Sequence, residues 1–116
     1  MSQHDPQKYL YDMLDSSEFL IQSVAGRERS ELDDNRMFRS GIERELLIIG
    51  EALFKLNKEH PQVAVQVPEC ERIGVFRHIL VHDYDQINRD IVWMVLQTRL
   101  PLLRDALKQM LDQLNA

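Results

Sequence analysis

The sequence predicts an all-α fold, an up-and-down bundle of four to five helices, and three observations support this prediction. Apolar residues recur every three or four positions along most of the 116-residue chain, which is the period of a helix that buries one face. Residues that favour helix starts, such as Asp5 with Pro6 and Asn88, precede these apolar stretches. The one alternating stretch, the valines of residues 63–67, is flanked by prolines, which disfavour a strand.

Two long helices are predicted in the first half of the chain. Asp5 can cap a first helix that ends at Gly26, and the charged residues 27–35 leave room for one short helical turn. A second long helix is predicted over residues 34–58. Its apolar face, spaced by four and three residues in alternation, consists of Ile42, Leu46, Ile49, Leu53 and Leu56.

Two glycines, Gly41 and Gly50, lie inside this second helix. Each costs about 1 kcal/mol relative to alanine in a helix interior. Either the helix tolerates this cost, or another backbone packs closely against it at that point. Both interpretations are open at the level of the sequence.

The second half of the chain is predicted to contain a loop and two further helices. Residues 60–68 form the loop, and a third helix follows over residues 68–81. After a break at DYDQIN, Asn88 can cap the last helix. Pro101 lacks a backbone N–H group, so it should kink or split that helix.

The composition is that of one soluble domain over residues 1–116. Hydrophobic residues make up 44% and charged residues 28% of the chain, as in ordinary globular proteins. Cys70 is the single cysteine, so no intramolecular disulfide can form. The N-terminal residues lack an apolar signal segment, and no apolar run approaches the ~18 residues that span a membrane. We therefore expect a cytoplasmic protein with no membrane partner.

The formal net charge of −5 restricts nucleic-acid binding. Phosphate binding depends on Lys and Arg side chains that displace counterions, so an RNA-binding surface would need a local basic patch. The arginines either cluster in space or are scattered over the surface. The candidates for such a patch are Arg36, Arg39, Arg44, Arg72, Arg77 and Arg89.

The stretch VFRHILVHDYDQI, residues 75–87, concentrates side chains that can do chemistry. A guanidinium presents a planar fork of donors that matches phosphate oxygens, and an imidazole can accept and release protons near neutral pH. Arg77 and His82 together could therefore cleave a phosphodiester without a metal ion. His82 would deprotonate a ribose 2′-hydroxyl or protonate the leaving oxygen, while Arg77 would stabilise the charge on the phosphorus oxygens.

Helical geometry leaves this interpretation open. Arg77 and His82 are about 140° apart on an ideal helix, so they converge only if the helix ends or unwinds near His82 or if a second copy completes the site. His78 and His82 can share a face, which allows a rival zinc site with Asp83, Asp85 or Glu51 as a third ligand. A third interpretation makes these residues surface groups or polar bridges between helices.

Several segments resemble HepT-like toxins of the HEPN superfamily. The family hallmark is an Arg, four residues, a His, one residue and a Tyr, which match Arg77, His82 and Tyr84. The residue after the Arg, commonly polar and often Asn in the family, is His78 here. IERELLIIGEALFKL resembles the second long helix of the family, and DIVWMVLQTRLPLLRDAL resembles its closing helix with an internal Leu-Pro. The resemblance covers residues from about 40 to 110.

The resemblance implies a HEPN-like bundle that forms a homodimer. It implies a metal-independent endoribonuclease toxin that needs no cofactor, with RNA rather than DNA as substrate and with Arg77 and His82 of both protomers meeting at the interface. It also implies a type VII-like toxin–antitoxin system. In such a system a minimal nucleotidyltransferase antitoxin similar to MntA neutralises the toxin by adenylylation of the motif tyrosine, here Tyr84.

Four further residues could support the catalytic pair. His78 and Asp83 lie within the hallmark stretch, and Arg44 and Glu51 lie on the second long helix, where they could line the cleft. A solvated helix face with local ion pairs explains Arg44 and Glu51 equally well.

Two other functions remain in competition with the ribonuclease. One is a non-catalytic helical companion that binds substrate for a minimal nucleotidyltransferase, and the other is a structural dimerisation domain. The presence of all three hallmark residues, Arg77, His82 and Tyr84, favours the ribonuclease, since a purely structural bundle gains little from keeping them.

Overall fold

Helices account for all the regular structure in residues 4–115, the part of the chain that the computed structural model describes. The all-α prediction is therefore confirmed. A 3₁₀ turn, Tyr84–Gln86, and a π-helical segment, Val95–Arg99, complete the helical elements. The α-helices in chain order are α1 Pro6–Val24, α2 Glu31–Asp34, α3 Arg36–Glu59, α4 Pro61–Ala64, α5 Cys70–His82, α6 Arg89–Met94 and α7 Leu100–Leu114.

Side-chain caps fix where the long helices begin. The Asp5 carboxylate accepts a hydrogen bond from the first turn of α1, and the Asn88 side chain does the same for α6, as the sequence predicts. The second long helix begins at Arg36 rather than at residue 34, because the side chain of Asn35 provides its capping oxygen.

The core lies between α1, α3 and the last helical stretch. The predicted apolar face of α3 is buried throughout, with exposed fractions of 0–6%. Leu10 and Leu20 of α1 and Leu107 of α7 are fully buried against it. In contrast, α5 packs mainly on α3 and contains no buried residue. The helix that carries the hallmark residues is therefore covered on one side only.

The loop predicted over residues 60–68 is partly wrong. A short helix, α4, occupies its first half, because Pro61 has the backbone angle of a first helical turn and Ala64 is buried beneath it. The valines form no strand, as predicted. The third helix starts at Cys70 instead of residue 68, because Glu69 adopts a left-handed backbone with φ of 58°.

Pro101 interrupts the regular α-helix of the last stretch, but the chain stays helical on both sides of the interruption. Regular α-helix stops at Met94 and resumes at Leu100, and the N–H of Leu100 donates to the carbonyl of Val95, five residues back. This π-helical segment rewinds the turn that precedes the proline. No helix within residues 4–115 is long and apolar enough to cross a membrane.

Tyr9 and Glu59 join the start of α1 to the end of α3. The buried Tyr9 hydroxyl donates to Glu59 Oε2 at 2.6 Å, and the backbone N–H of His4 donates to Glu59 Oε1 at 2.9 Å. The hydrogen bond to Glu59 raises the pKa of Tyr9 to about 12, and the same bond lowers the pKa of the Glu59 carboxyl.

Replacing Tyr9 with phenylalanine should lower Tm by about 5 °C at neutral pH, because Glu59 loses a donor. The wild-type advantage should persist up to pH 10 and disappear towards pH 12, since the folded chain holds the Tyr9 proton that the unfolded chain releases. The Tm difference between wild type and Tyr9→Phe should also shrink in acid, as pH falls through the lowered pKa of Glu59. Thermal unfolding across pH measures this difference.

The matched control is Tyr11→Phe, because the Tyr11 side chain is 61% exposed. That variant should melt like wild type at every pH. A Tyr9→Phe difference that stays constant up to pH 12 contradicts the role of the Tyr9 proton.

Candidate active site

Gly50 lets α5 approach α3 closely at Arg77. A Cβ atom built on Gly50 would lie 2.7 Å from the Cβ of Arg77, closer than side chains tolerate. Gly50 is also buried, whereas a Cβ on Gly41 would meet nothing within 4 Å. Of the two interpretations left open by the sequence, close approach therefore holds for Gly50 and simple tolerance for Gly41.

This close approach places the Arg77 guanidinium between two side chains of α3. Its Nε donates to Glu51 Oε1 at 2.8 Å, and its central carbon lies 4.1 Å from the centre of the Phe54 ring. The Arg77 side chain is 20% exposed. Its terminal N–H groups make no hydrogen bond within residues 4–115, so an oriented pair of donors is left for an anion.

His82 is the last residue of α5 and lies beside His78. The centres of the two imidazoles are 4.6 Å apart, which confirms that they share a face. Both residues are exposed. No group of three or more His, Cys, Asp or Glu side chains in residues 4–115 is arranged to hold a metal ion, and Glu51 instead binds Arg77.

Arg77 and His82 do not share a face of one protomer. The helix remains α-helical through His82 and ends there, so the two residues stay about 140° apart. Arg77 contacts α3, whereas His82 contacts His78. The helix does end at His82, as one of the two routes to convergence requires, but this end alone does not bring the two side chains together.

Tyr84 lies on a short turn immediately after α5. Asp83 ends the helix by donating its N–H to the carbonyl of Ile79 at 2.9 Å, and Tyr84 begins the 3₁₀ turn. The Tyr84 side chain is 76% exposed, and its hydroxyl makes no hydrogen bond in the described part of the chain. Because α5 ends at His82, Tyr84 does not continue the Arg77 face of that helix.

The remaining sequence candidates have different positions. Asp83 and Arg44 are both exposed, and within residues 4–115 the Arg44 side chain forms no ion pair or hydrogen bond with the other candidates. Phe54 was not among the sequence candidates. The signal for it was available, since Phe54 lies four residues after Gly50, one helical turn along the same face.

An apolar groove runs between α5 and the last helical stretch. It has a volume of about 700 Å³, and charged side chains such as Arg72 and Arg99 lie at its rim. Along α5 the lining ends with Ile79, so the exposed His82 lies about one helical turn beyond the groove. The most exposed apolar residues of its lining are Val75, Ile91, Met94 and Leu102.

Comparisons with known proteins show which family this chain belongs to. A family model described as "Ribonuclease HepT-like" matches residues 13–110. A protein of Methanocaldococcus jannaschii named "Putative RNase MJ1380" is 32% identical over 104 residues, which cover 90% of this chain and 94% of that protein. One of Caldanaerobacter subterraneus subsp. tengcongensis, "Putative RNase TTE0752", is 32% identical over 108 residues, covering 93% and 96%. No solved structure gives a significant match.

Replacing Gly50 with alanine should lower the free energy of unfolding by about 1–2 kcal/mol, because the cost of overpacking against Arg77 exceeds the gain in helix propensity. The matched variant Gly41→Ala should instead raise it by roughly 0.5–1 kcal/mol, since its Cβ meets nothing. Urea unfolding measures both changes. If the two variants stabilise the chain equally, α5 does not pack closely at Gly50.

Proposed function

Because the chain belongs to the HepT-like ribonuclease family, we propose that it is an endoribonuclease whose catalytic side chains are Arg77 and His82. The observation that carries this proposal is the fixed Arg77 guanidinium, which Glu51 and Phe54 orient while its terminal donors remain available. The names of the relatives point to RNA as substrate.

The proposed reaction is transfer of the phosphoryl group to the neighbouring 2′-oxygen. The 2′-hydroxyl loses its proton to an imidazole, its oxygen bonds to phosphorus, and the bond from phosphorus to the 5′-oxygen breaks. The leaving 5′-oxygen takes up a proton, and the 2′,3′-cyclic phosphate remains. His82 moves a proton and Arg77 stabilises the charge on the phosphorus oxygens, so these steps require no metal ion.

A second copy of the chain completes the site in this proposal. Arg77 and His82 lie on different faces of one α5, so one protomer alone does not present them together. The apolar groove between α5 and the last helical stretch leaves Val75 and Leu102 more than 60% exposed, as expected of a surface that a partner covers. In the proposed dimer, Arg77 of one protomer meets His82 of the other, so the two-fold symmetry produces two complete sites.

The proposed regulation is adenylylation of Tyr84 by a minimal nucleotidyltransferase antitoxin in the cytoplasm. The Tyr84 oxygen attacks the α-phosphorus of ATP, pyrophosphate leaves, and the hydroxyl proton is released. High exposure of Tyr84 supports access by a second enzyme. The new phosphodiester adds negative charge and bulk two residues from His82, which opposes binding of an RNA phosphate.

Arg77→Ala and His82→Ala should each reduce RNA cleavage by at least about 100-fold, because one removes charge stabilisation and the other removes a proton carrier. Cleavage of a labelled RNA, with and without EDTA, measures this loss, and wild-type activity should survive the chelator. Arg104→Ala is the control, since Arg104 pairs with the exposed Asp105 on α7. A wild-type chain that cleaves no RNA favours the non-catalytic companion instead.

Mixing the two inactive variants tests the shared site in the same assay. Suppose that each site takes Arg77 from one protomer and His82 from the other. In an equal mixture, about half of all dimers then contain one copy of each variant, and each of these dimers has one intact site out of two. The mixture should therefore recover about a quarter of the wild-type activity. If both residues act within one protomer, the mixture stays inactive.

Co-expression with a minimal nucleotidyltransferase of the proposed antitoxin class should add AMP to the peptide that contains Tyr84. Peptide mass spectrometry detects the adduct, which Tyr84→Phe should abolish and the exposed control Tyr11→Phe should retain. Adducts on Tyr11 or on any other residue, with Tyr84 unmodified, contradict the assignment.

A further inference from the structure

Four lysine and arginine side chains have no hydrogen bond or ion pair within residues 4–115, and all of them lie on α3. The chain contains 14 lysines and arginines. Nine of them pair with a carboxylate, and Arg39 donates to the carbonyl of Leu32. The remaining four, exposed on α3, are Arg36, Arg44, Lys55 and Lys58.

These four residues form one strip along the helix, which we call the cationic strip. At 100° per residue, their positions fall within an arc of about 100°, and the strip is about 33 Å long. The arc lies beside the face that packs on α5, and it includes the position of Phe54. The cationic strip therefore runs past the seat of Arg77.

Most carboxylates near the cationic strip already accept hydrogen bonds from other side chains or from the backbone. Glu51 lies within the arc, where it accepts from Arg77. Glu59, next to its C-terminal end, accepts from Tyr9 and His4. Glu43 borders the arc on the side of Gly50. The cationic strip therefore keeps a positive local charge although the whole chain is acidic.

We propose that the cationic strip binds the phosphates of single-stranded RNA and leads the strand to Arg77. This inference rests on the proposed ribonuclease function and assigns the substrate-binding surface that the function needs. Unpaired cations displace counterions from RNA, whereas cations already paired with carboxylates contribute little. Phe54, half exposed beside Arg77, offers the part of its ring that Arg77 leaves uncovered to a base next to the bound phosphates.

The test compares two triple variants that have the same net charge. One replaces Arg44, Lys55 and Lys58 with glutamine on the cationic strip. The other makes the control changes Lys8→Gln, Arg104→Gln and Lys108→Gln on α1 and α7, where each side chain is paired with a carboxylate. All are combined with His82→Ala so that a labelled single-stranded RNA stays intact. Fluorescence anisotropy over a range of salt concentrations gives Kd and its salt dependence.

The strip variant should bind RNA about 10- to 100-fold more weakly at 0.1 M salt, and its slope of log Kd against log salt should fall by about 2, because three phosphate contacts are lost. The control variant should stay within about twofold of the parent. Circular dichroism should show the same unfolding for all, since the strip residues are exposed.

Three outcomes overturn the proposal. If both triple variants lose RNA affinity equally, net charge alone sets the affinity. If both keep the RNA affinity of the parent, the cationic strip faces another partner, such as an acidic protein. No RNA binding by the His82→Ala parent also refutes it. The cleavage assay of the wild-type chain decides the ribonuclease function separately, so the two failures are distinguishable.

Discussion

The close contact between Gly50 and Arg77 is the constraint on which the site depends. Helix α5 contains no buried residue, so its position is set mainly by what it contacts on α3. A missing side chain at Gly50 allows the two backbones to approach, and that approach brings the Arg77 guanidinium to Glu51 and Phe54. Gly50 lowers the helix propensity of α3, but it allows the contacts that hold Arg77 in place.

One helix, α3, serves three purposes. Its apolar face, which includes Ile49 and Leu53, builds the core with α1 and α7. The side that faces α5 holds Arg77 through Glu51 and Phe54, and the cationic strip runs along the same side. Because α3 is packed into the core, the backbone positions that carry these cations stay in line beside Arg77.

The two hallmark side chains have opposite environments on α5. Arg77 is held by an ion pair and an aromatic ring, whereas His82 is exposed beside His78 at the end of the helix. A fixed charge and an accessible imidazole suit different tasks, since charge stabilisation needs preorganisation and proton transfer needs contact with the substrate. In the proposed function, a partner protomer packs on the uncovered side of α5 and brings the two side chains to one substrate.

The sequence by itself determined the features that depend on neighbours along the chain. The caps at Asp5 and Asn88, the apolar face of α3 and the shared face of His78 and His82 follow from local hydrogen bonds and helical spacing. The resemblance to the family hallmark also made Arg77, His82 and Tyr84 the candidate site residues.

Only the tertiary structure decided which distant residues meet. The role of Gly50, the binding of Arg77 by Glu51 and the stacking on Phe54 depend on how α5 lies across α3, and no periodicity along one helix contains that information. The short helix α4 and the left-handed Glu69 likewise depend on burial and on the path between helices. Local spacing fixes the faces of a helix, whereas packing decides what each face contacts.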